Sequence, residues 1–320
     1  MSRSIPTPST SLQEEESLSS ARPKVVPHSP RYITTATFFS AGLANVLSAV
    51  CTNPADVIKV RQQLLLTRTR ASFPSIAAAM VRSEGLRGLW SGVTASMYRE
   101  GTYSTIRMGG YEPAKKFYAK QLGFGADGFG NKLLAGITSG AIGAAISTPT
   151  DLMKVRMQAA RPDGRPPYRT TLHGFVEVYR QGGVRAMWRG IWPNTIRAAV
   201  LTSSQIATYD EVKIWLKGGS LNMHEGIKLH LTSSMIAGFV CSAASQPIDV
   251  LKTRLMSISK MPAHLPRPNA LAHLGELLRN EGPMALWKGF GMCWARLGSH
   301  TVISLTLFEG FRGLLGVKPL

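Results

Sequence analysis

The sequence predicts an all-α membrane protein whose six transmembrane helices fall into three repeats of about 100 residues each. Charged residues make up only 17% of the 320-residue chain, against roughly 25% in an average soluble domain. Long uncharged runs alternate with shorter ones, and one set of short motifs occurs three times. Together these three observations indicate a helical bundle that crosses the membrane several times.

The charge balance of the chain points to an anionic partner. There are 37 lysines and arginines against 18 acids, which gives a formal net charge of +19. Such an excess is typical of proteins that bind nucleic acid, anionic lipid or small anions. The three cysteines, Cys51, Cys241 and Cys293, are too few and too scattered for a disulfide framework or a metal cage. A disulfide-rich secreted scaffold is therefore excluded.

The N-terminal segment, residues 1–30, is rich in serine and proline and carries three consecutive acids, Glu14 to Glu16. A transit peptide is poor in acids and rich in arginine, and a secretory signal needs an apolar core that this segment lacks. We therefore expect a disordered tail. An address for an organelle would then lie internally.

Three long runs contain no charged residue. They extend from Ile33 to Ala55, from Leu133 to Thr150 and from Leu229 to Ile248, and hold 23, 18 and 20 residues. A helix needs about 20 apolar residues to cross roughly 30 Å of hydrocarbon. Each run therefore predicts a membrane-spanning helix.

A second, weaker segment follows each long run. Ala198–Tyr209 and Leu297–Phe308 hold 12 uncharged residues each, and the counterpart near Met97–Tyr111 contains Arg107. Twelve residues rise only about 18 Å, so such a segment crosses a membrane only if one face meets protein or water. Alone, these segments fit buried helices of a soluble protein equally well. Their alternation with the long runs favours the membrane bundle.

The chain is an internal triplicate. The motif Pro-x-Asp-x-x-Lys-x-Arg begins at Pro54, Pro149 and Pro247, with spacings of 95 and 98 residues. A glycine, a Trp-x-Gly group and an aromatic–acid–x–x–base group follow each time, and 26 residues separate the glycine from the aromatic residue in every copy. We therefore expect a repeat over each of 31–126, 127–224 and 225–320, with two membrane helices and a connecting segment.

These motifs resemble those of the mitochondrial carrier family, and the resemblance covers residues 31–320. It implies six tilted helices around a pseudo-threefold axis, a short matrix helix in each repeat, and no enzymatic activity. It also implies a multi-pass protein of the mitochondrial inner membrane with both termini in the intermembrane space. Because three repeats supply a complete site in one chain, we expect a functional monomer.

The loops within the first two repeats carry many arginines, and the positive-inside rule places such loops on the matrix side. This orientation agrees with the one that the resemblance implies. The arginines are Arg68, Arg70, Arg82, Arg87, Arg161, Arg165, Arg169, Arg180 and Arg185.

The triplicated motif places an aspartate and a lysine three positions apart, on one face of a helix, after a proline that kinks it. Each pair could close within its own helix, or the three pairs could bridge between helices. The resemblance implies the second arrangement, a matrix gate. Its implied pairs are Asp56 with Lys154, Asp151 with Lys252, and Asp249 with Lys59.

Two further sets of residues are implied by the same resemblance. Gln63 and Gln158 stand where the family has a glutamine that braces the matrix gate, whereas Met256 occupies the third place. The last motif would supply a cytoplasmic gate. The implied cytoplasmic pairs are Glu112 with Lys213, Asp210 with Arg312, and Glu309 with Lys115.

Three arginines lie deep in the weaker membrane segments, where charge is costly and is functional by default. Arg99, Arg197 and Arg296 each precede the aromatic residue of the last motif by 12 positions. In the family these positions contact substrate, and three arginines resemble the branch with dicarboxylate, oxoglutarate and uncoupling-protein-like carriers. Ala198 completes the second contact point, where adenine-nucleotide carriers typically have a small or apolar pair. Nucleotide transport is therefore disfavoured.

Glu100 follows Arg99 where relatives in this branch commonly have glutamine. Two interpretations remain open for this substrate-site residue. The carboxyl group could take up a proton when an anion binds, or it could merely pair with Arg99 or Arg107. Transport of unchanged pH dependence by Glu100→Gln would rule out the first.

No cofactor or metal site is predicted, but a bound lipid is expected. Arg189-Gly190 and Lys288-Gly289 resemble the cardiolipin-binding motif of the family, at helix N-termini suited to phosphate. Ser91 replaces the basic residue in the first repeat. His300, in the sixth helix, is interpreted as a polar packing residue.

The sequence therefore predicts a carrier that exchanges small anions by alternating access between the two gates. Dicarboxylates and oxoacids are favoured: malate, oxoglutarate, succinate, oxaloacetate, phosphate or sulfate. The first alternative is an uncoupling-protein-like proton or anion carrier. The more distant ones are a soluble basic helical protein that binds nucleic acid and a carrier-like membrane protein without transport. On the favoured interpretation the partners are a small anion and the lipid bilayer with cardiolipin, and nucleic acid is not one.

Overall fold

The computed structural model describes residues 30–65, 72–123, 128–159, 168–218, 227–257 and 270–316. Within these ranges the regular structure is helical, without β-strands. The predicted tail lies outside the described residues except for Pro30. Outside them also lie Arg68, Arg70, Arg161 and Arg165.

Each repeat contributes a long helix, a short helix and a second long helix. The first repeat holds α1 (Pro30–Leu64), α2 (Phe73–Glu84) and α3 (Val93–Leu122). The second holds α4 (Phe129–Gln158), α5 (Thr171–Met187) and α6 (Ile191–Gly218). The third holds α7 (Ile227–Ser257), α8 (Ala270–Glu281) and α9 (Phe290–Leu314).

The six long helices form a closed ring. Each packs against the next one along the chain, and α9 packs against α1. The triplicated motif lies in the last turns of α1, α4 and α7, and we call this side of the bundle the motif end. A buried apolar cluster closes the motif end, with Val60, Leu152, Met153, Met157 and Met256 among its members. The three short helices come after α1, α4 and α7 along the chain.

Three of the long helices, α1, α4 and α7, are long and apolar enough to cross a membrane over Thr35–Leu64, Phe129–Gln158 and Thr232–Ser257. The other three contain 30, 28 and 25 residues. Even the shortest rises about 38 Å, more than the hydrocarbon thickness. The uncharged runs are shorter than these helices because charged residues interrupt them. Those side chains face the interior of the bundle, since Glu100 is 5% and Arg197 is 8% exposed.

Glycines with a left-handed backbone precede α3, α6 and α9. Gly92, Gly190 and Gly289 have φ values of 71°, 82° and 83°, which L-residues rarely adopt. They also lie against the motif end of a neighbouring long helix. A Cβ atom on Gly92 would sit 2.9 Å from the Cβ of Met157. The chain can therefore enter each of these helices only through glycine.

Candidate functional site

Three ion pairs join α1, α4 and α7 at the motif end. The Lys154 Nζ lies 2.6 Å from Asp56, the Lys59 Nζ 2.7 Å from Asp249, and the Lys252 Nζ 3.1 Å from Asp151. These are the three inter-helix pairs expected from the resemblance. Their side chains are only 5–12% exposed. We call these six residues the Asp–Lys ring.

Each aspartate of the ring also contacts one of the three predicted substrate arginines. Arg99 Nε lies 3.1 Å from Asp151 and donates a hydrogen bond to it. Arg197 Nε lies 2.6 Å from Asp249, and Arg296 Nε lies 2.9 Å from Asp56. Every aspartate therefore contacts, through one oxygen, a lysine from another of the three motif-bearing helices α1, α4 and α7, and through the other oxygen an arginine. The threefold repeat is complete in this arrangement.

The arginines and the ring line two cavities that share Arg99, Asp151, Arg197 and Arg296 in their walls. The larger cavity, of about 280 Å³, is lined by Arg99, Arg197 and Arg296 together with Asp151, and Ala198 also lies in its wall. The smaller one, of about 50 Å³, lies among the ring residues and the same three arginines. The structure thus brings all five predicted substrate residues, Glu100 included, to one cavity.

Positive charge exceeds negative charge in the described walls of the two cavities. Seven lysines and arginines face four carboxylates there. In a low-dielectric site such an imbalance is felt strongly and attracts anions. Among the described residues, no group of three or more His, Cys, Asp and Glu side chains is placed to hold a metal ion. The excess of positive charge among these residues agrees with the prediction that an anion binds here.

Glu100 pairs with its neighbour Arg99, since the Arg99 guanidinium donates to its carboxylate. Arg99 is thus held by two carboxylates, Glu100 and Asp151, whereas Arg197 and Arg296 each contact one. Of the two interpretations of Glu100, this geometry is the one in which the carboxylate pairs with Arg99.

The two predicted bracing glutamines differ in their contacts. Gln63 donates to Asp249 at 2.9 Å and accepts from Thr253 at 2.8 Å, so it supports one pair of the ring. Gln158 instead donates to Asn53 at 3.2 Å and to Ser96 at 3.4 Å. The expectation of two equivalent braces is therefore wrong for Gln158. Its amide joins the start of α3 to α1 because Asn53 and Ser96 offer acceptors there.

The last arginine of each motif ties the ends of the long helices together. Arg61 donates to the carbonyl oxygen of Gln158 at 3.3 Å, Arg156 to that of Met256 at 3.3 Å, and Arg254 to that of Gln63 at 3.0 Å. These carbonyls lie in the last turn of a helix, where backbone acceptors lack intrahelical partners. The three arginines therefore connect the ends of α1, α4 and α7 in a second threefold ring of hydrogen bonds.

Two of these arginines also bind the short helices. Arg61 forms a forked ion pair with Glu84, at 2.5 and 2.7 Å. Arg254 and Lys288 both donate to Glu281. Burial alone would raise the pKa of Glu281, but these two donors outweigh it and hold the pKa below its usual range. Lys288 is only 7% exposed, so its side chain is directed to Glu281 rather than outward to lipid.

The residues of the predicted cytoplasmic gate lie at the opposite ends of α3, α6 and α9. Glu112 and Glu309 are exposed there, and Asp210, Lys115 and Lys213 are partly buried. The Arg312 guanidinium packs over the Phe308 ring, with its carbon 5.4 Å from the ring centre. The ion pairs of the Asp–Lys ring are therefore formed at the motif end, whereas Glu112 and Glu309 at the opposite end are exposed.

Tyr103, Arg107 and His300 also line the larger cavity, although the motifs did not assign them to the site. Tyr103 lies between two arginines of α3, with the guanidinium carbon of Arg99 5.0 Å and that of Arg107 6.0 Å from its ring centre. His300, interpreted above as a packing residue, is the third. Their spacing could have identified them in the sequence. Tyr103 and Arg107 follow Arg99 by four and eight positions, and His300 follows Arg296 by four, so each lies on the helix face of a predicted substrate arginine.

Comparison with known proteins agrees with this architecture. Residues 31–122, 125–220 and 224–319 each match the family model described as mitochondrial carrier protein. The chain therefore belongs to the mitochondrial carrier family, whose members are transporters of the mitochondrial inner membrane.

Several relatives match over nearly their whole length. The mitochondrial 2-oxoglutarate/malate carrier protein of Homo sapiens is 35% identical over 287 residues, 85% of this chain and 88% of that protein. Mitochondrial uncoupling protein 1 of Arabidopsis thaliana is 35% identical over 288 residues, 85% of this chain and 91% of that protein. The mitochondrial substrate carrier family protein ucpB of Dictyostelium discoideum is 34% identical over 288 residues, 88% of this chain and 97% of that protein.

Proposed function

We propose that this carrier exchanges small dicarboxylates or related oxoacids. The observation that supports it is the contact of three cavity arginines with the three ring aspartates. A guanidinium binds a carboxylate in forked geometry, so a dicarboxylate can replace the aspartates as the partner of these arginines. A 2-oxoglutarate/malate carrier among the relatives is consistent with this substrate class.

The same contacts couple anion binding to the Asp–Lys ring. Each arginine contacts an aspartate of the ring and helps to hold it in place beside its lysine. An anion that draws the arginines toward the cavity removes these contacts and weakens the ring. Millimolar binding supplies about 4 kcal/mol, and opening the ring to water restores the solvation that its buried ion pairs have lost, which offsets much of their attraction. Binding can therefore offset ring opening and shift the population toward the other face.

In this mechanism the Asp–Lys ring is the matrix gate, with Gln63 as its brace. The cytoplasmic gate is formed when the outer acids and bases of α3, α6 and α9 come together. The motif end then faces the matrix and both termini face the intermembrane space. Gly92, Gly190 and Gly289, which directly precede α3, α6 and α9, would transmit movement between the long helices.

Lipid and oligomeric state complete the proposal. One chain supplies all three arginines and the whole ring, so a monomer is sufficient for exchange. Cardiolipin would bind at the N-termini of α6 and α9, where free backbone N–H groups suit phosphate. Because the Lys288 side chain pairs with Glu281, only backbone N–H groups would bind the cardiolipin phosphate in the third repeat.

A second candidate function is supported by the relatives. Uncoupling protein 1 of Arabidopsis thaliana is as similar to this chain as the 2-oxoglutarate/malate carriers are. An uncoupling-type carrier would show proton flux that depends on fatty acid and is sensitive to nucleotides. Measurement of proton flux in the same liposomes distinguishes it from anion exchange.

Uptake of labelled malate into proteoliposomes tests the proposal. The liposomes are loaded with malate, oxoglutarate, phosphate, sulfate, ADP or no anion. We expect saturable exchange with some internal anions, and its loss in Arg197→Ala. Arg180→Ala, which removes an exposed arginine on α5, is the matched control and should retain exchange.

Two results would contradict the proposal. One is the absence of malate uptake by a wild-type preparation that unfolds cooperatively and is therefore folded. The other is undiminished exchange by folded Arg197→Ala. Either would direct attention to proton flux and to other anions.

A further inference from the structure

His300 lies on the wall of the larger cavity, four residues after Arg296 on α9. Residues four apart on a helix share a face, and their Cα atoms are separated by about 6 Å along the axis. A carboxylate bound to Arg296 would therefore place its neighbouring carbon atom close to the His300 ring. This is the carbon that carries the hydroxyl group in a 2-hydroxy acid.

Ser48 of α1 determines how the His300 ring is used. The Ser48 Oγ lies 2.5 Å from His300 Nδ1 and donates a hydrogen bond to the backbone oxygen of His300 at 3.0 Å. A hydroxyl group has one proton to donate. A backbone oxygen can only accept, so with the hydroxyl proton in the bond to that oxygen the geometry assigns the Nδ1 atom of the ring as the donor to Ser48. Ser48 is completely buried, so water does not compete for this contact.

The other ring nitrogen, Nε2, then carries a lone pair. Within the described part of the chain, no residue hydrogen-bonds to Nε2. The charged groups near the ring are Arg296 on α9, Arg99 and Glu100 on α3, and Asp56 on α1. Histidine is commonly neutral near pH 7. Nε2 is thus a hydrogen-bond acceptor in a cavity rich in donors.

The carboxylates of the cavity are already engaged. Glu100 pairs with Arg99, and Asp151 contacts Arg99 and Lys252. The amide oxygen of Asn45 accepts from Ser304 at 2.7 Å. A substrate hydroxyl that needs an acceptor therefore finds one in His300 Nε2.

We propose that His300 is a specificity-determining residue that accepts a hydrogen bond from the C2 hydroxyl of a 2-hydroxy dicarboxylate held by Arg296. The proposal rests on the proposed exchange of dicarboxylates. It assigns the carrier a preference for malate over succinate, which has no hydroxyl group, and over oxaloacetate, which presents a carbonyl acceptor instead. Ser48 is a positioning residue, because it acts only through the ring of His300.

The test compares the KM values of malate, succinate and oxaloacetate in proteoliposomes. For the wild type we expect a lower KM for malate than for succinate, by about two- to tenfold, the usual worth of one hydrogen bond. In His300→Leu the malate KM should rise to the succinate value while the succinate KM stays nearly constant. His300→Gln keeps an oxygen acceptor and should retain part of the preference.

Two further variants separate this role from a structural one. Ser48→Ala frees the ring to carry its proton on Nε2, and should lower the preference for malate and improve oxaloacetate. Ser299→Ala, on the exposed side of α9, is the matched control and should leave the KM ratios unchanged. If His300→Leu does not fold, His300→Gln and Ser48→Ala carry the test.

The outcomes distinguish this proposal from the proposed function. A wild type that transports both dicarboxylates without preference would overturn the role of His300 and leave dicarboxylate exchange intact. An equal change of both KM values in His300→Leu would do the same. A folded wild type that transports neither dicarboxylate would refute both.

Discussion

Arg296 contacts Asp56 through Oδ1 at 2.9 Å, while Lys154 contacts Oδ2 of the same carboxylate at 2.6 Å. One buried aspartate thus contacts both a cavity arginine and a lysine of the ring. Equivalent contacts link Arg197 to Asp249 and Arg99 to Asp151. An anion bound to these arginines, as we propose, would therefore act on the ring without any intermediate residue.

A charge exchange between Asp56 and Lys154 tests this shared carboxylate. Asp56→Lys combined with Lys154→Asp restores an ion pair, but the introduced lysine then faces Arg296. Because breaking a buried pair costs about 3–5 kcal/mol, we expect the double variant to unfold at a clearly lower temperature than the wild type in detergent. Addition of Arg296→Gln should recover part of that loss. A double variant as stable as the wild type would show that Arg296 does not depend on Asp56.

The two glutamines of the motif should behave differently. Gln63 supports Asp249 in the ring, whereas Gln158 binds Asn53 and Ser96. Gln63→Ala and Gln158→Ala should both lower Tm by a few degrees, since each loses buried hydrogen bonds of about 1 kcal/mol. Only Gln63→Ala should also change the exchange rate, by weakening the ring. Equal rate changes in the two variants would contradict this assignment.

Glu100→Gln should strengthen anion binding. The change removes one of the two carboxylates that hold Arg99, so a substrate carboxylate meets less competition for that guanidinium. We expect the KM for malate to fall by about fivefold, which corresponds to about 1 kcal/mol, with an unchanged pH profile. Loss of the pH dependence would instead favour proton uptake by Glu100. Glu177→Gln on α5 removes an acid outside the cavity and serves as the control.

Alanine at Gly92 should destabilise the fold. The new Cβ would require the left-handed backbone of φ 71° and would sit 2.9 Å from Met157, at a cost of at least ~1–2 kcal/mol. Gly42 lies within α1 with no atom within 4 Å of its Cβ position. Gly42→Ala should therefore stabilise the protein slightly, by about 0.5–1 kcal/mol. Thermal unfolding of the two variants in one detergent decides the comparison.

Glu281 should contribute a pH-dependent part of the stability. Arg254 and Lys288 hold its pKa below the usual range, so its contribution is complete above the ordinary glutamate pKa of about 4.3. That contribution is lost as the pH falls through the lower pKa of the folded state. The Tm difference between wild type and Glu281→Gln should thus be constant near neutral pH and shrink in acid.

Glu276→Gln provides the control for that measurement. Glu276 is on the same helix, but its side chain is 65% exposed beside His273. Exposed ion pairs contribute little to stability, so this variant should follow the wild type at every pH. A difference between wild type and Glu281→Gln that persists unchanged in acid would mean that the carboxylate charge is not what stabilises α8.

Local patterns predicted much of the fold. Uncharged runs predicted α1, α4 and α7, because helix length against hydrocarbon thickness is a property of the sequence alone. The weaker segments gave only the centres of α3, α6 and α9. Their charged residues interrupt the hydropathy pattern, and only packing shows that Glu100 and Arg197 face the interior.

For the candidate site too, the sequence identified some residues and the tertiary structure was needed for others. Triplication identified the aspartates, lysines and arginines, since three equal positions in three repeats must be related by the symmetry of the fold. The contacts of Gln158 were predicted wrongly, because its partners Asn53 and Ser96 belong to another repeat and become neighbours only through packing. Tyr103, Arg107 and His300 were left unassigned for a related reason, since no motif repeats at their positions.

The sequence by itself determined the repeat, the helix count and the residue types that meet at the axis, because these follow from periodicity and composition. The tertiary structure alone decided which oxygen of Asp56 meets Arg296 and which nitrogen of His300 meets Ser48. Such choices depend on rotamers and on the spacing between helices that lie far apart in the chain. They are set when close packing leaves a side chain few positions in which its polar atoms can find partners.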